Sequence, residues 1–187
     1  MLIERVEITG INESLRASGY PMNSETISFA RAGKLGSCKP GTGHDCFLKG
    51  IVVQADITAP QYWWIQFQRY HFADIVSSQS KMHKITEMEL EEVCNKYVTE
   101  KTIAHLRELI EYYENLHDGQ KKREYFQRII ANCPMGLMLK ARIVSNYLQL
   151  KTMYLQRQHH KLEEWKYFCE WIEELPHFKD YTQKGDK

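Results

Sequence analysis

The amino-acid sequence predicts an α+β fold in which helices pack against a small, mostly antiparallel sheet. Three short segments, at residues 2–8, 51–58 and 139–143, alternate apolar and polar side chains, which is typical of strands. Longer segments carry apolar side chains at every third or fourth position, which is typical of helices that cover a core. Because strands and helices are mixed along the chain, we expect roughly three or four strands and five or six helices.

In the N-terminal part, the strand at 2–8 is followed by residues 10–12, which predict a turn. The segment 28–43 is rich in glycine and contains Pro40, so it is predicted to be a loop. Its glycines match neither the phosphate-binding P-loop nor the dinucleotide-binding Rossmann motif. No Lys-Ser or Lys-Thr follows them, and Cys46 stands where the dinucleotide motif requires glycine.

The central strand, at 51–58, ends near Pro60, a residue that suits the first turn of a helix. A helix is therefore predicted over 62–70, and polar residues at 77–81 predict an irregular link. Asp118 and Gly119 are predicted to close the second of the helices that follow. The later segments with helical spacing are 87–97, 103–116, 123–131, 147–157 (introduced by Asn146) and 159–175.

Length and composition limit the class of protein. A chain of 187 residues fits one domain, expected over residues 1–180 with a frayed tail at 181–187. With 25 Lys and Arg against 24 Asp and Glu, the chain lacks the basic field that favours nucleic-acid binding. No apolar run is long enough to cross a bilayer, and the first residues do not resemble a secretion signal, so a soluble cytoplasmic protein is expected.

The cysteines and histidines predict no metal site. The five cysteines contain no C-x-x-C pair and are expected to be free thiols. His44 and Cys46 are close in sequence, but the two further ligands of a zinc site are missing.

Two windows of the sequence carry a recognisable arrangement of residues. The first contains Gly43-His44, Ala59-Pro60, Gln66, Arg69-Tyr70-His71 and Ser80-Lys81-Met82-His83. The second contains Pro134, Asn146 and Arg157. In the spacing of these residues, the sequence resembles the flavin-dependent thymidylate synthases, also called the thymidylate synthase complementing family.

This resemblance implies a similar fold and a homotetramer that binds FAD and dUMP where subunits meet. It also implies NADPH and methylene-tetrahydrofolate as co-substrates in one-carbon transfer to the nucleotide. By position, Arg69, His71, His44 and Asn146 are expected to bind the flavin. Gln66, Ser80 and Arg157 are expected to bind the nucleotide, with Arg157 and Ser80 in catalytic roles.

The sequence also departs from the pattern of this family. Tyr70 and His71 replace the second and third members of an Arg-His-Arg triplet, and Lys49-Gly50 replace a Glu-His pair. Met82 stands where the family has a dUMP-binding arginine, which leaves Lys81, Lys84 or Arg128 as candidates for the phosphate contact. The alternative interpretation is therefore an inactive homologue that acts as a nucleotide-binding or protein-interaction module.

Two residue types have simpler structural interpretations. The aromatic side chains of Tyr62, Trp63, Trp64 and Phe67 are expected in the core, and a stacking role against a flavin is the alternative. For Arg157, the alternative to a site is a structural ion pair, since Glu163 lies six residues away.

Overall fold

The computed structural model describes residues 1–71 and 73–182, and within them it confirms the α+β fold. Four strands form one antiparallel sheet in the order β1-β2-β4-β3. Their bounds are Leu2–Thr9 for β1, Val52–Pro60 for β2, Asp74–Ser78 for β3 and Met138–Asn146 for β4.

Ten α-helices lie within the described residues. They are α1 Ile11–Ala17, α2 Phe29–Gly36, α3 Gln61–Phe67, α4 Lys81–Lys84, α5 Leu90–Val93, α6 Glu100–Glu114, α7 Gly119–Asn132, α8 Tyr147–Arg157, α9 Glu163–Glu174 and α10 Phe178–Thr182. Short 3-10 turns occur at Tyr20–Met22, Cys46–Gly50 and Ile85–Glu87.

The two faces of the sheet differ because neighbouring side chains of a strand point to opposite sides. On β2, Val53, Ala55 and Ile57 are fully buried and belong to the main core. Asp56 lies on the other face, where it accepts hydrogen bonds from Arg5 and from Arg142 of β4, at 3.3 and 3.2 Å. Helices therefore cover one face, while charged side chains pair across the other.

The main core contains a group of aromatic rings between α3 and α9. Trp63 is fully buried, and its ring centroid lies 5.0 Å from that of Trp165 and 5.4 Å from that of Phe168. Trp64 donates its indole N–H to the carbonyl of Leu139 at 3.0 Å. The expectation that these tryptophans are packing residues is confirmed, and their contacts fix α3 against α9.

A second, smaller core lies beside α6 and α7. Leu106 and Ile110 of α6 and Ile129 of α7 are buried there, together with Leu137. Asp118 does not close α6, as the sequence predicted, but begins α7, since its carboxylate accepts hydrogen bonds from the backbone of Gln120 and Lys121. Local capping chemistry therefore sets this boundary.

Several predicted loops are ordered elements. Residues 10–12 were expected to form a turn, but α1 begins at Ile11. The glycine-rich segment was expected to be a loop, but it contains α2. Gly33 and Gly36 of this helix lack side chains, which permits the backbone of α10 to approach closely. Residues 77–81 were expected to be an irregular link, but β3 extends to Ser78. Polar residues fit this strand because it lies at the edge of the sheet and exposes most of its side chains.

Two further predictions were wrong in extent. In the predicted helix 87–97, the α-helix covers only Leu90–Val93, and Cys94 then forms a bridge with Leu137. The tail was expected to fray from 181, but Tyr181 and Thr182 are buried at the end of α10. The remaining predicted tail, 183–187, lies outside the described residues.

Candidate functional site

Arg157, the last residue of α8, is the centre of a polar cluster at the edge of the aromatic core. Its guanidinium carbon lies 4.7 Å from the ring centroid of Trp165 and 5.5 Å from that of Tyr70. Both distances are within the range of cation–π contacts. The side chain is half-buried, so the charge is held against aromatic rings but still reaches solvent.

Hydrogen bonds fix the orientation of this guanidinium. Its Nε donates to the hydroxyl of Tyr70 at 2.7 Å, and Nη1 donates to Oε1 of Gln66 at 3.4 Å. Trp165 donates its indole N–H to the same Oε1 at 2.8 Å. Because the tryptophan N–H can only donate, the oxygen of Gln66 must face it, and the amide NH₂ must point away.

The fold brings these side chains together from three helices. Asn146 caps α8 by accepting a hydrogen bond from the backbone of Gln149 at 3.0 Å, and Arg157 lies at the other end of this helix. The packing of Trp63 against Trp165 holds α3 beside α9, which brings Gln66 to the indole of Trp165. The cluster is therefore built on helices fixed by the core.

Arg157 has no acidic partner in the described part of the chain. No carboxylate of residues 1–71 or 73–182 lies within 4.0 Å of its guanidinium, and Glu163 instead pairs with Lys96 at 3.5 Å. The alternative of a structural ion pair with Glu163 is therefore wrong. An uncompensated, aromatic-supported guanidinium is suited to bind a carbonyl or anionic ligand group.

His160 belongs to the same cluster, although the sequence did not predict it. Burial, with a further contribution from the charge of Arg157, lowers the pKa of its imidazole. Its Nδ1 accepts a hydrogen bond from the backbone N–H of Leu162 at 3.1 Å, which requires an unprotonated nitrogen. His160 therefore adds no positive charge near neutral pH.

Trp165 and Tyr70 were also not predicted as site residues. An aromatic residue on a helical face is usually a core residue, which hid Trp165, and Tyr70 stood out only as a departure from the family triplet. The one sequence signal that pointed here was the spacing of Gln66 and Arg157 within the two motif windows.

The other predicted site residues are not among the side chains that contact the Arg157 guanidinium in the described part of the chain. Arg69 and His71 follow α3 in an exposed turn, where His71 and Tyr70 border an open cavity of about 720 Å³. His44 is exposed in the turn before Cys46, and Ser80 immediately precedes α4. Within the described residues, no hydrogen bond joins Ser80, His44 or Asn146 to the guanidinium.

The three candidates for a phosphate contact are already engaged by protein groups. Lys81 donates to Oε1 of Gln61 at 3.0 Å. The other two candidates form ion pairs with nearby glutamates in the sequence. Lys84 pairs with Glu87 at 2.7 Å, and Arg128 pairs with Glu124 at 2.6 Å. Met82 is 45% exposed and supplies no charge.

The described residues contain no group of three or more His, Cys, Asp or Glu side chains arranged to hold a metal ion. All five cysteines are unpaired, and Cys169 is buried with the pKa of its thiol raised to about 12, chiefly by burial. In the part of the chain that the structure covers, no helix is long and apolar enough to cross a membrane.

Comparison with known proteins gives a match in structure but none in sequence. No protein-family model matches the chain, and no curated protein does. Two solved structures of the flavin-dependent thymidylate synthase ThyX from Helicobacter pylori, both with FAD and dUMP, superpose with a TM-score of 0.73 at 16% identity. They cover 97% of this chain, which covers 97% and 96% of theirs. The chain therefore has a fold similar to that of ThyX along nearly its whole length.

Proposed function

We propose that this protein is a divergent flavin-dependent thymidylate synthase-like protein that binds FAD and a pyrimidine nucleotide related to dUMP. Methyl or one-carbon transfer to that nucleotide is the proposed reaction, with NADPH and methylene-tetrahydrofolate as co-substrates. The observation that carries the proposal is the pairing of Gln66 with Arg157. The fold similarity to a protein solved with FAD and dUMP supports it.

The cluster presents donors that fit a pyrimidine base. Gln66 directs its oxygen to Trp165 and Arg157, and its amide NH₂, which has no acceptor among the described residues, can donate to a ligand. Arg157 uses Nε and Nη1 in the described contacts, which leaves Nη2 as a further donor. Because the carbonyl oxygens of a uracil ring are acceptors, these two side chains are suited to hold one and to stabilise negative charge that develops on it.

The residues after α3 fit an anionic cofactor such as FAD only in part. Arg69 and His71 are exposed beside the cavity that borders Tyr70, and no acidic partner of Arg69 occurs within the described residues. Arg69 supplies a permanent positive charge, whereas His71 supplies charge only partly near neutrality. A bound flavin would supply the electron transfer that side chains cannot perform.

A homotetramer is part of the proposal. The predicted residues Ser80, His44 and Asn146 form no hydrogen bond with the Arg157 guanidinium within the described residues, which is consistent with the resemblance to a family whose site lies where subunits meet. In the proposed reaction, the side chains bind and orient the ligands and exclude water, and no protein nucleophile is required. The buried thiol of Cys169, with its raised pKa, is unsuited to that role.

The second candidate is a homologue that binds a nucleotide or a protein but does not catalyse. It is favoured by Met82, which is exposed and uncharged at a position where the resemblance implies a dUMP-binding arginine. In this case, Arg157 and Gln66 still bind a base, but no one-carbon transfer follows.

Two measurements test the proposal. Purified protein should take up added FAD and show flavin absorption, and release of tritium from dUMP labelled at C5 should require reduced flavin and methylene-tetrahydrofolate. Arg157→Gln should suppress nucleotide binding, whereas Arg107→Gln, on the exposed surface of α6, should not. A protein that takes up neither FAD nor dUMP would overturn the proposal, and binding without tritium release would favour the second candidate.

A further inference from the structure

A cavity of about 520 Å³ lies where the segment after α5 meets the first turns of α9, beside the start of β4. Small-molecule sites commonly have volumes of about 300–1,000 Å³. None of the wall residues belongs to the Arg157 cluster or to the positions that the family resemblance assigns to a ligand. The wall includes Lys96, Tyr97, Met138, Glu163, Glu164 and Tyr167.

Glu164 is a half-buried carboxylate in this wall. Tyr62 of α3 donates its hydroxyl to Oε1 of Glu164, and the side-chain amide of Asn95 donates to that same hydroxyl at 3.0 Å. In the described part of the chain, neither a Lys, Arg or His side chain nor the amino group of Met1 lies within 4.0 Å of this carboxylate. The cavity therefore presents a negative charge that no neighbouring cation neutralises.

Tyr62 holds this carboxylate in place without cancelling its charge. Burial, with a further contribution from the hydrogen bond to Glu164, raises the pKa of the Tyr62 phenol. The hydroxyl therefore stays a neutral donor near neutral pH. Within residues 1–71 and 73–182, Oε2 of Glu164 accepts no hydrogen bond, so it is able to accept one from a ligand.

The neighbouring Glu163 shows how this wall holds an ammonium group. The Nζ of Lys96 lies 3.5 Å from Oε2 of Glu163 and 4.9 Å from the ring centroid of Tyr97. A carboxylate and an aromatic face together stabilise an ammonium group, through charge and through the cation–π contact. Glu164 and the ring of Tyr167, three residues later on α9, offer the same two kinds of contact to a ligand.

The rest of the wall suits an apolar group attached to that ammonium. Tyr97 and Tyr167 are 60% and 43% exposed, so their rings are available for contact. Met138, at the start of β4, adds a thioether side chain, which adapts to irregular apolar surfaces and makes favourable contacts with aromatic rings. A ligand ring inserted here would cover apolar surface that now faces solvent.

We propose that this cavity binds an organic ammonium ion that carries an aromatic ring on a short alkyl chain. The ammonium donates to Oε2 of Glu164 and lies against the ring of Tyr167, and the aromatic part packs on Tyr97 and Met138. The ligand is a cation, whereas FAD and dUMP are anions. The inference therefore goes beyond the proposed function and does not rest on it.

The test uses 2-phenylethylammonium as the probe, in an NMR titration of the full chain near neutral pH. We expect saturable binding, no binding of 2-phenylethanol, which has the ring but no charge, and weaker binding of ethylammonium, which has the charge but no ring. Glu164→Gln keeps an acceptor for Tyr62 and removes the charge, so it should weaken binding by about tenfold or more. Glu170→Gln, at an exposed position of the same helix, is the matched control and should leave the affinity unchanged.

Two further variants and a competition experiment sharpen the assignment. Tyr167→Leu should weaken binding because the cation–π contact is lost, and Lys96→Gln should strengthen it because a like charge is removed and Glu163 is released. An excess of dUMP should not displace the probe, since no wall residue belongs to the proposed nucleotide site. Circular dichroism melting confirms that each variant is folded.

Three results would each overturn the proposal. The first is a wild-type protein that does not bind 2-phenylethylammonium, and the second is displacement of the probe by dUMP. The third is a folded Glu164→Gln variant that binds the probe as tightly as the wild type does. None of these results depends on uptake of FAD or on tritium release, so failure of this proposal is distinguishable from failure of the proposed function.

Discussion

Arg157 donates its Nε hydrogen to the hydroxyl of Tyr70 at 2.7 Å, and this hydroxyl in turn donates to Oε1 of Gln156 at 3.1 Å. The family resemblance implies a histidine at position 70, so this contact is a feature of the present chain. Since the tyrosine hydroxyl both accepts and donates, it holds the guanidinium in one orientation before any ligand arrives.

Removal of this hydroxyl should therefore weaken ligand binding. Tyr70→Phe retains the ring beneath Arg157 and deletes only the oxygen, so we expect dUMP affinity to fall by about three- to tenfold. Isothermal titration calorimetry measures the effect. Tyr97→Phe, which deletes an exposed hydroxyl that donates to Glu163 at 2.9 Å, is the control, and unchanged or tighter binding in Tyr70→Phe would contradict the orienting role.

The guanidinium itself should matter more for binding than for stability. Arg157→Ala should abolish detectable dUMP binding, and Arg157→Lys should restore little of it, because an ammonium lacks the planar donor geometry. The melting temperature of both variants should stay close to that of the wild type, since the side chain is half-buried and forms no ion pair among the described residues. A large drop in melting temperature would instead assign Arg157 a structural role.

Trp64 should behave in the opposite way. It is 6% exposed, packs edge-on against Trp63 and Phe67, and donates to the carbonyl of Leu139. Trp64→Ala should lower the free energy of unfolding by about 3–5 kcal/mol, as large-to-small changes in a core do. Urea unfolding followed by circular dichroism measures this loss, and Ile65→Ala, on the exposed side of the same helix, should change it little.

A buried ion pair should be a second determinant of stability. Lys151 of α8 donates to Asp45 at 2.7 Å and to the carbonyls of Gly36 and Cys38 at 2.6 and 2.7 Å, and both charged side chains are 2% exposed. Lys151→Met leaves the carboxylate buried without its partner, so we expect a loss of about 3–5 kcal/mol in the free energy of unfolding.

The exposed pair of Lys84 with Glu87 is a matched control for this change. Lys84→Met should cost about 1 kcal/mol or less, because solvent screens an exposed pair. Both variants can be compared by urea unfolding under the same conditions. Equal losses in the two variants would contradict the conclusion that the buried contacts of Lys151 stabilise the packing of α8 against the segment around Gly36.

The sequence predicts best those elements that depend on neighbouring residues. The helix over 147–157 was predicted with its observed bounds, because Asn146 is a strong capping residue and the apolar spacing follows at once. Strand β2, Val52–Pro60, was recognised from the alternation of apolar and polar side chains over 51–58. The α+β class follows from such local signals.

Elements that depend on distant contacts were missed or misjudged. Glycines in α2 indicated a loop, whereas Gly36 is needed because the backbone of Tyr181 approaches it closely. The cluster at Arg157 joins Gln66, 91 residues away, and Trp165, 99 residues from Gln66. Local pattern cannot specify such pairs, and only the motif spacing indicated that Gln66 and Arg157 belong together.

His160 should make stability depend on pH. The pKa of its imidazole is lower in the folded protein than the ordinary value, because burial and the charge of Arg157 disfavour protonation. The unfolded chain therefore binds a proton at a higher pH than the folded chain does. Stability is retained above the ordinary histidine pKa of about 6.5 and falls as the pH decreases from there toward the lower folded-state value.

His160→Gln removes this proton linkage. We expect the fall in melting temperature between about pH 7.5 and about pH 5.5 to be smaller in this variant than in the wild type. Differential scanning calorimetry at the two pH values measures the difference, and His105→Gln, at an exposed position on α6, is the control. An identical fall in His160→Gln and wild type would show that protonation of His160 is not linked to folding. The linkage is expected because an imidazolium cannot accept the hydrogen bond that Leu162 N–H donates to Nδ1 of His160 in the folded chain, so protonation removes this contact.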